Sequence, residues 1–322
     1  MRLLDAVLDG TIVLSFDRAG FARHARRFRR EDLQVDLGGR LALVTGPTSG
    51  LGRAAALGLA RLGAELVLLC RDTTRGHALQ REIRLATGRR ASVERLDLAD
   101  LGSVRDFARR FSAARVDVLV HNAGVLPAER QLTPDGLELT WATNVAGPYL
   151  LTRLLLPRLR RARQGRIVVV SSGGMYAQRL SLDDLDWQER PFDGVTAYAQ
   201  SKRAEVVLAE LLAERLRGTR VTVNAMHPGW ADTPGVRRSL PRFHRLMKSR
   251  LRTPAQGADT VVWLAACAGL SEESGRFWFD RQAVGTHLVP WTRETPAERQ
   301  ALLELLERQT RARRARRKAA SA

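Results

Sequence analysis

Of the three tyrosines, at 149, 176 and 198, only Tyr198 is followed four residues later by a lysine, Lys202. On a helix that spacing returns to the same face, so the ammonium can approach the phenol. A nearby cation favours phenolate and draws a group whose reference pKa is about 10 toward working pH. Such a phenol suits the proton transfer that accompanies hydride exchange between a carbonyl and an alcohol, a contribution of about 10²–10⁴ in rate. A hydroxyl that bonds the substrate oxygen as charge develops would assist. The pair Ser171-Ser172, at the end of an apolar run, offers two alternatives for it.

Hydride exchange needs a dinucleotide, and the segment Thr45-Gly46-Pro47-Thr48-Ser49-Gly50-Leu51-Gly52 has the composition to hold one. Glycine admits positive φ and close backbone approach. The turn opens into a helical pattern, whose free N–H groups and positive dipole end suit a pyrophosphate. Its T-G-x-x-x-G-x-G spacing differs from the G-x-G-x-x-G dinucleotide fingerprint. About 20 residues further on, where an acid would bond a ribose 2′-OH, the second apolar run ends at Arg71. Arginine clamps a 2′-phosphate with paired charge-assisted bonds, so NADP(H) is expected over NAD(H). Asp72 would reverse that expectation if the strand ended one residue later, since neighbouring side chains point apart.

The elements that must position these residues follow from periodicity. Strands are expected at 41–45, 65–69, 93–96, 118–120, 167–171 and 221–226. Helical patterns at 50–62, 73–87, 101–113, 136–159 and 197–217 separate them. That alternation predicts an α/β, doubly wound Rossmann fold with a mostly parallel sheet and helices on both faces. Apolar strands without polar alternation fit a sheet buried on both sides. Residues 1–37 lack the rhythm and read as an accessory extension, 38–295 as one catalytic domain, and 296–322 as a C-terminal helix and basic tail.

In this order the motifs resemble the short-chain dehydrogenase/reductase superfamily, over about residues 39–280. The resemblance implies roles for further residues. Asp97-Leu98 would contact the adenine end, and Asn122-Ala123-Gly124 the cofactor wall, with His121 where the family usually has asparagine. Asn144 takes the place of the catalytic asparagine, although a mid-helix asparagine usually faces solvent. The family pattern selects Ser172 over Ser171, and Pro228, Gly229 and Thr233 would hold the nicotinamide end. Lys202 would also bond the nicotinamide ribose. The long interval from Ser172 to Tyr198 resembles the retinol-dehydrogenase-like branch. The stretches 170–175, 191–194 and 227–236 look closest to its SDR family member 12 type.

Two segments are expected to cover the carbonyl site. One carries Met175, Tyr176, Leu180, Trp187 and Phe192, the other Trp230, Phe243, Leu246 and Met247. Apolar linings suit a hydrophobic or lipid-like carbonyl or alcohol. Six histidines show no zinc-binding spacing, so no metal is expected, and His227 reads as structural. Two cysteines give no disulfide framework. No apolar run approaches the roughly 20 residues that span a bilayer, and the weak run at 11–16 is flanked by acids. A cytoplasmic protein without a leader is expected.

The net charge is +19, and seven bases lie between Arg308 and Lys318. With the Arg-rich stretch 23–30, that tail favours peripheral contact with an anionic membrane. No aromatic-rich basic stretch marks a nucleic-acid module, and a homo-oligomer is compatible with the sequence. A cofactor-binding regulatory protein without turnover, or a membrane-associated one, would be the competing class. The intact Tyr198, Lys202 and Ser172 argue against it.

Overall fold

The apolar runs become strands of one eight-stranded sheet, ordered β3-β2-β1-β4-β5-β6-β7-β8. In this computed structural model, which describes residues 15–311, β1 is Leu41–Thr45, β2 Glu65–Cys70, β3 Ala91–Arg95 and β4 Val118–His121. Next come β5 Gly165–Val170, β6 Val221–Met226, β7 Phe277–Phe279 and β8 Gln282–Val284. All neighbours pair parallel except β7 and β8. The chain order reverses between β1 and β4, and in open α/β sheets ligands bind outside the carboxyl ends of the strands at that point.

Period-two side-chain alternation gives each sheet face its own core. Leu43 and Leu119 point to one, with Phe107, Leu151 and Val207. Those come from α4 (Leu101–Arg110), α5 (Gly147–Leu159) and α6 (Gly194–Arg215). Ala42, Val44, Val118 and Val120 point to the other, with Leu59 and Val261. These belong to α2 (Gly50–Arg61) and α9 (Pro254–Ala266); α3 (Thr73–Thr87) lies beside α2.

Several bounds differ from expectation for local reasons. The helix expected from 136 begins at Leu139, because Leu132 and Glu138 first form a β-bridge. It then passes through a π turn, Ala142–Ala146, before α5. Helix α4 stops at Arg110, where Phe111 turns extended and buries its ring. Helix α6 starts three residues early, at Gly194, because the Asp193 carboxylate accepts from the Val195 and Thr196 N–H groups. The strands β7 and β8, three residues each, are too short to show periodicity.

The described part of the extension packs onto the body. Helix α1 (Arg18–Ala25) is capped by Asp17, and Phe16 packs 4.6 Å from the His227 ring and 5.1 Å from Phe279. Residues 1–14, and the tail beyond Arg311 to which the basic charge was assigned, lie outside the described residues. The C-terminal helix α10 (Pro296–Thr310) opens with a Thr295–Glu298 capping box.

One ion pair joins extension, sheet edge and loops. Arg252, with 0% of its surface exposed, donates to both Asp280 oxygens at 2.6 and 2.8 Å. It also donates to the carbonyls of Ser15, Asp17 and Pro228. His24 Nδ1 completes the cluster 2.6 Å from Asp280 Oδ2. Asp280 and Arg281 form the β7–β8 turn with φ of +46° and +59°, the left-handed region that is unfavourable by about 1–2 kcal/mol per residue away from glycine. The Arg252 pair and the Arg281–Asp259 pair at 2.7 Å hold the turn there. Asp280→Ala is expected to leave Arg252 buried and unpaired, with a loss of about 3–5 kcal/mol in urea unfolding. A loss within 0.5 kcal/mol, the range of an ordinary surface change, would contradict this assignment.

Candidate active site

A cleft of about 680 Å³ opens at the carboxyl ends of β1 and β4. It is built from the turn after β1. Thr45 Oγ1 donates to Val120 O at 3.2 Å and accepts from the Asn122 and Ala123 N–H groups at 3.0 and 3.1 Å. Asn122 Nδ2 bonds the Thr45 and Gly46 carbonyls at 3.0 and 3.1 Å. The turn is thereby tied to β4, and its glycines allow the approach. Gly46 has φ of +62°, and a Cβ on Gly52 would lie 2.3 Å from both Gly46 O and Asn122 Nδ2. Helix α2 starts at Gly50 and presents its amino end to the cleft.

Every residue expected at the adenine and pyrophosphate part lines this cleft. They are Thr45, Gly46, Ser49, Gly50, Leu51 and Gly52, then Arg71, Asp97 and Leu98, then Asn122, Ala123 and Gly124; Thr233, expected at the nicotinamide end, also lines it. The chemistry of Arg71 and Asp72 separates clearly. β2 ends at Cys70, and Asp72 becomes the N-cap of α3, its Oδ1 accepting from Arg75 N at 3.0 Å. Arg71 is exposed and has no carboxylate partner among the described residues. Arg75, which sequence reasoning did not single out, reaches over the turn to Thr48 O at 3.3 Å. Arg238 of α7 (Pro234–Ser239) enters from the far wall. The Asp97 carboxylate accepts from Ala99 N at 3.0 Å, stabilising its own turn. Its composition fits an anionic dinucleotide: backbone N–H groups at the centre and guanidinium groups at the rim.

A second cleft, about 370 Å³, continues from the first and shares Leu51, Asn122, Gly124 and Thr233 with it. Ser172, Tyr198, Lys202, Pro228 and Gly229 line it. The structure separates the two serines. Ser171 is buried and donates to Lys202 O at 2.8 Å, so its hydroxyl is committed to holding α6. Ser172 Oγ accepts from Gly174 N at 3.2 Å and faces the cleft. Lys202 Nζ lies 5.4 Å from the Tyr198 ring centroid. Its hydrogen bonds go to Val170 O at 3.0 Å and to Glu205 at 2.8 and 3.1 Å. Burial works against the ammonium, but Glu205 and Tyr198 outweigh it and hold its pKa above the ordinary lysine value.

Asn144 is not in either cleft, and it does not face solvent. It lies in the π turn with 1% exposure. Its Oδ1 accepts from Val125 N at 2.9 Å, and its Nδ2 donates to Ser201 Oγ at 2.9 Å and Val125 O at 3.3 Å. It therefore clamps the strand-end loop 122–125 to α6, behind Lys202. Single π turns within α-helices are frequent at functional sites.

The expected substrate wall is corrected in part. Met175, Leu180 and Trp187 are buried in the body. Tyr176 bonds Gly285 O at 2.8 Å, and Phe192 packs on Trp187 at 5.2 Å. That segment anchors a loop, because burial in the existing core removes more apolar surface than lining an open cleft. The second segment contributes Trp230 and Phe243, joined by Val236, Leu240 and Val195. Leu246 lies outside, 80% exposed. His227 stacks on Phe279 at 4.1 Å, and burial pulls its pKa down to about 3, so it is a neutral packing group. No group of three or more possible metal ligands occurs among the described residues.

Comparisons with known proteins agree with this geometry. Residues 40–242 match the short chain dehydrogenase family. The chain is 41% identical over 296 residues to human dehydrogenase/reductase SDR family member 12, covering 91% of this chain and 93% of that protein. It is 38% identical to human retinol dehydrogenase 13, over 74% and 76% of the two chains. A short chain dehydrogenase from Escherichia coli CFT073 complexed with NADPH has a similar structure, with TM-score 0.64 and 28% identity, covering 79% of this chain and 100% of that one. With the resemblance of the motifs thus extended to nearly the whole chain, the protein belongs to the short-chain dehydrogenase/reductase family and is an NAD(P)-dependent oxidoreductase.

Proposed function

We propose that the protein interconverts a hydrophobic or lipid-like carbonyl and its alcohol with NADP(H). The observation that carries this is the continuity of the two clefts. The first ends in Arg71, which has no carboxylate partner among the described residues, and the second brings Ser172, Tyr198 and Lys202 to an apolar wall of Trp230 and Phe243. When bound, the nicotinamide supplies or accepts the hydride. Everything else is done by the chain. Thr45 and Asn122 brace the turn that holds the pyrophosphate, and Thr233, which lines both clefts, belongs with Pro228 and Gly229 at the nicotinamide end. Arg71, with Arg75 beside it, reads the 2′-phosphate, while Asp72 is committed to its helix cap. Pro228 and Gly229 orient the nicotinamide end. Ser172 donates to the substrate oxygen, Tyr198 moves the proton to or from that oxygen, and Lys202 keeps a positive charge beneath the phenol. Asn144 acts from behind, fixing Val125 and α6. The extension serves the unit 38–295 by packing Phe16 behind Gly173 and under the 228–230 loop.

Substrate reaches the cleft past α7 and α8 (Pro241–Met247). No acid occurs from Thr233 to Ala258. Exposed Arg242, Arg245 and Lys248 lie on or next to α8 with exposed Leu246, while Arg237 of α7 is paired with Asp232, and Arg250 stands beside α1, where Arg18 N donates to Arg250 O. Such a face suits transient contact with an anionic bilayer, each base contributing about 1 kcal/mol near the surface. A peripheral site of this kind would take its substrate from the lipid phase. Among the described residues no helix is long and apolar enough to cross a membrane.

Three outcomes are expected. Tyr198→Phe should keep its fold by circular dichroism and its affinity for NADPH, while turnover drops about 10²–10⁴-fold; near-normal turnover would remove Tyr198 from the mechanism. Wild type should prefer NADP(H) in kcat/KM, and Arg71→Asp should shift the ratio toward NAD(H). An unchanged ratio in the mutant would show that Arg71 is not the reader. In flotation with phosphatidylserine vesicles at low salt, the double variant Arg242→Glu/Arg245→Glu should bind more weakly than wild type. Equal binding by the two proteins would reject the docking face.

A further inference from the structure

Beneath the active site, on the side of Lys202 away from the cleft, lies a group that neither the family resemblance nor the proposed mechanism uses. Glu205 is 5% exposed and one helical turn past Lys202. Both carboxylate oxygens accept from the Lys202 ammonium, at 2.8 and 3.1 Å. An ammonium has three protons to donate. Val170 O takes one and the two oxygens of the single Glu205 carboxylate share another, which leaves one for the cleft.

Glu205 also borders a small cavity of about 20 Å³, with His121, Asn144, Tyr149 and Thr152. That is room for one water, which needs about 10–15 Å³ and polar partners. His121 Nε2 is 2.7 Å from Thr152 Oγ1, and its buried Nδ1 has no partner among the described residues. Glu205 and His121 thus both line the cavity. Unpaired buried polar atoms are uncommon, and a bound water or a functional role is their usual explanation.

We propose that Glu205 is a positioning residue that fixes Lys202 and holds the proton leaving the active site when an alcohol is oxidised. This rests on the oxidoreductase reading above. In that direction the C–H hydride passes to the oxidised nucleotide, and the O–H proton passes to Tyr198. For the next turnover that proton must move on. Lys202 gives one proton to Glu205 and is replenished from the cleft side, so the proton from the alcohol is balanced by one on the Glu205 carboxyl. The cavity beside Glu205, with room for one water, is the route by which the proton would leave the pair. In carbonyl reduction the same steps run backward.

The groups facing Glu205 make it the site that changes charge. From β4 comes His121, which burial pulls down to about 3, so it stays neutral. From α5 comes Tyr149, whose pKa burial raises, and the neutral Thr152; from the π turn comes the neutral Asn144. From its own helix comes Lys202 alone. Burial pushes the Glu205 carboxyl up to about 7, against the pull of Lys202. Its charged form, able to accept, therefore prevails above that pH and is lost below it.

The test combines two readouts on the full chain. Infrared pH-difference spectra of the cofactor-free protein should show a buried carboxyl gaining a proton around pH 7, absent in Glu205→Gln. Alcohol oxidation by wild type should fall on the acid side of the same pH. In Glu205→Gln that limb should vanish and the rate above it should fall about 10²-fold. Glu205→Asp, which keeps the carboxylate, should restore the limb in part. A band that persists in Glu205→Gln, or no carboxyl titration between acid and alkaline solution, overturns the proposal. So does a normal acid limb in Glu205→Gln. Absence of turnover with any carbonyl or alcohol would instead sink the oxidoreductase reading for this chain, and the infrared titration would still decide whether Glu205 holds the proton.

Discussion

Where β1 and β4 end side by side, hydrogen bonds from Thr45 and Asn122 hold the strand ends and the glycine turn in one rigid corner. Each such bond contributes about 1 kcal/mol net, but their value lies in leaving no buried polar group unmet. The corner is where chain order reverses, so helices on the two sides diverge and leave a crevice. The remaining architecture depends on it. The amino end of α2, the loop 122–125 and Thr233 converge there because the corner fixes where each begins. Asn144 extends the bracing one layer deeper, from Val125 to α6, and thereby sets where Tyr198 and Lys202 emerge.

The same constraint separates binding from chemistry. The first cleft is lined by the glycine turn, Arg71 and Arg75, on the side of β2 and α2. Ser172, just past β5, and Tyr198 and Lys202 of α6 line the second, one cleft further along. The two halves meet at Gly124, where a Cβ would lie 3.4 Å from Lys202 Nζ and 3.5 Å from Asn144 Oδ1. A Cβ there would come into contact with both. The family resemblance explains why the parts are present, and this packing explains why they cannot be rearranged one at a time.

Much of this was legible in the sequence, for identifiable reasons. The strands before α6 are long apolar runs, and the glycine turn and the Tyr198–Lys202 spacing are local patterns that need no tertiary knowledge. The π turn was not legible, because a one-residue shift of hydrogen-bond register leaves no mark in composition. It is also why Asn144 looked solvent-facing. The β7–β8 hairpin was invisible, since its turn is Asp280-Arg281 rather than a glycine pair and is held by a residue 28 positions away. Met175, Leu180 and Trp187 looked like substrate wall because apolar side chains in a loop have two uses, and only packing tells them apart. Glu205 carried a signal, an acid three residues past the lysine on the same helix, but its meaning depends on burial.

A crystal structure of the full chain with NADPH examines the central claim most directly. The account predicts that the 2′-phosphate lies between Arg71 and Arg75, that the pyrophosphate rests on the turn at Ser49–Gly52, and that the nicotinamide enters the second cleft beside Tyr198 and Ser172. Density for the nucleotide elsewhere, or with its 2′-phosphate turned from Arg71 or its nicotinamide away from Tyr198, would contradict it.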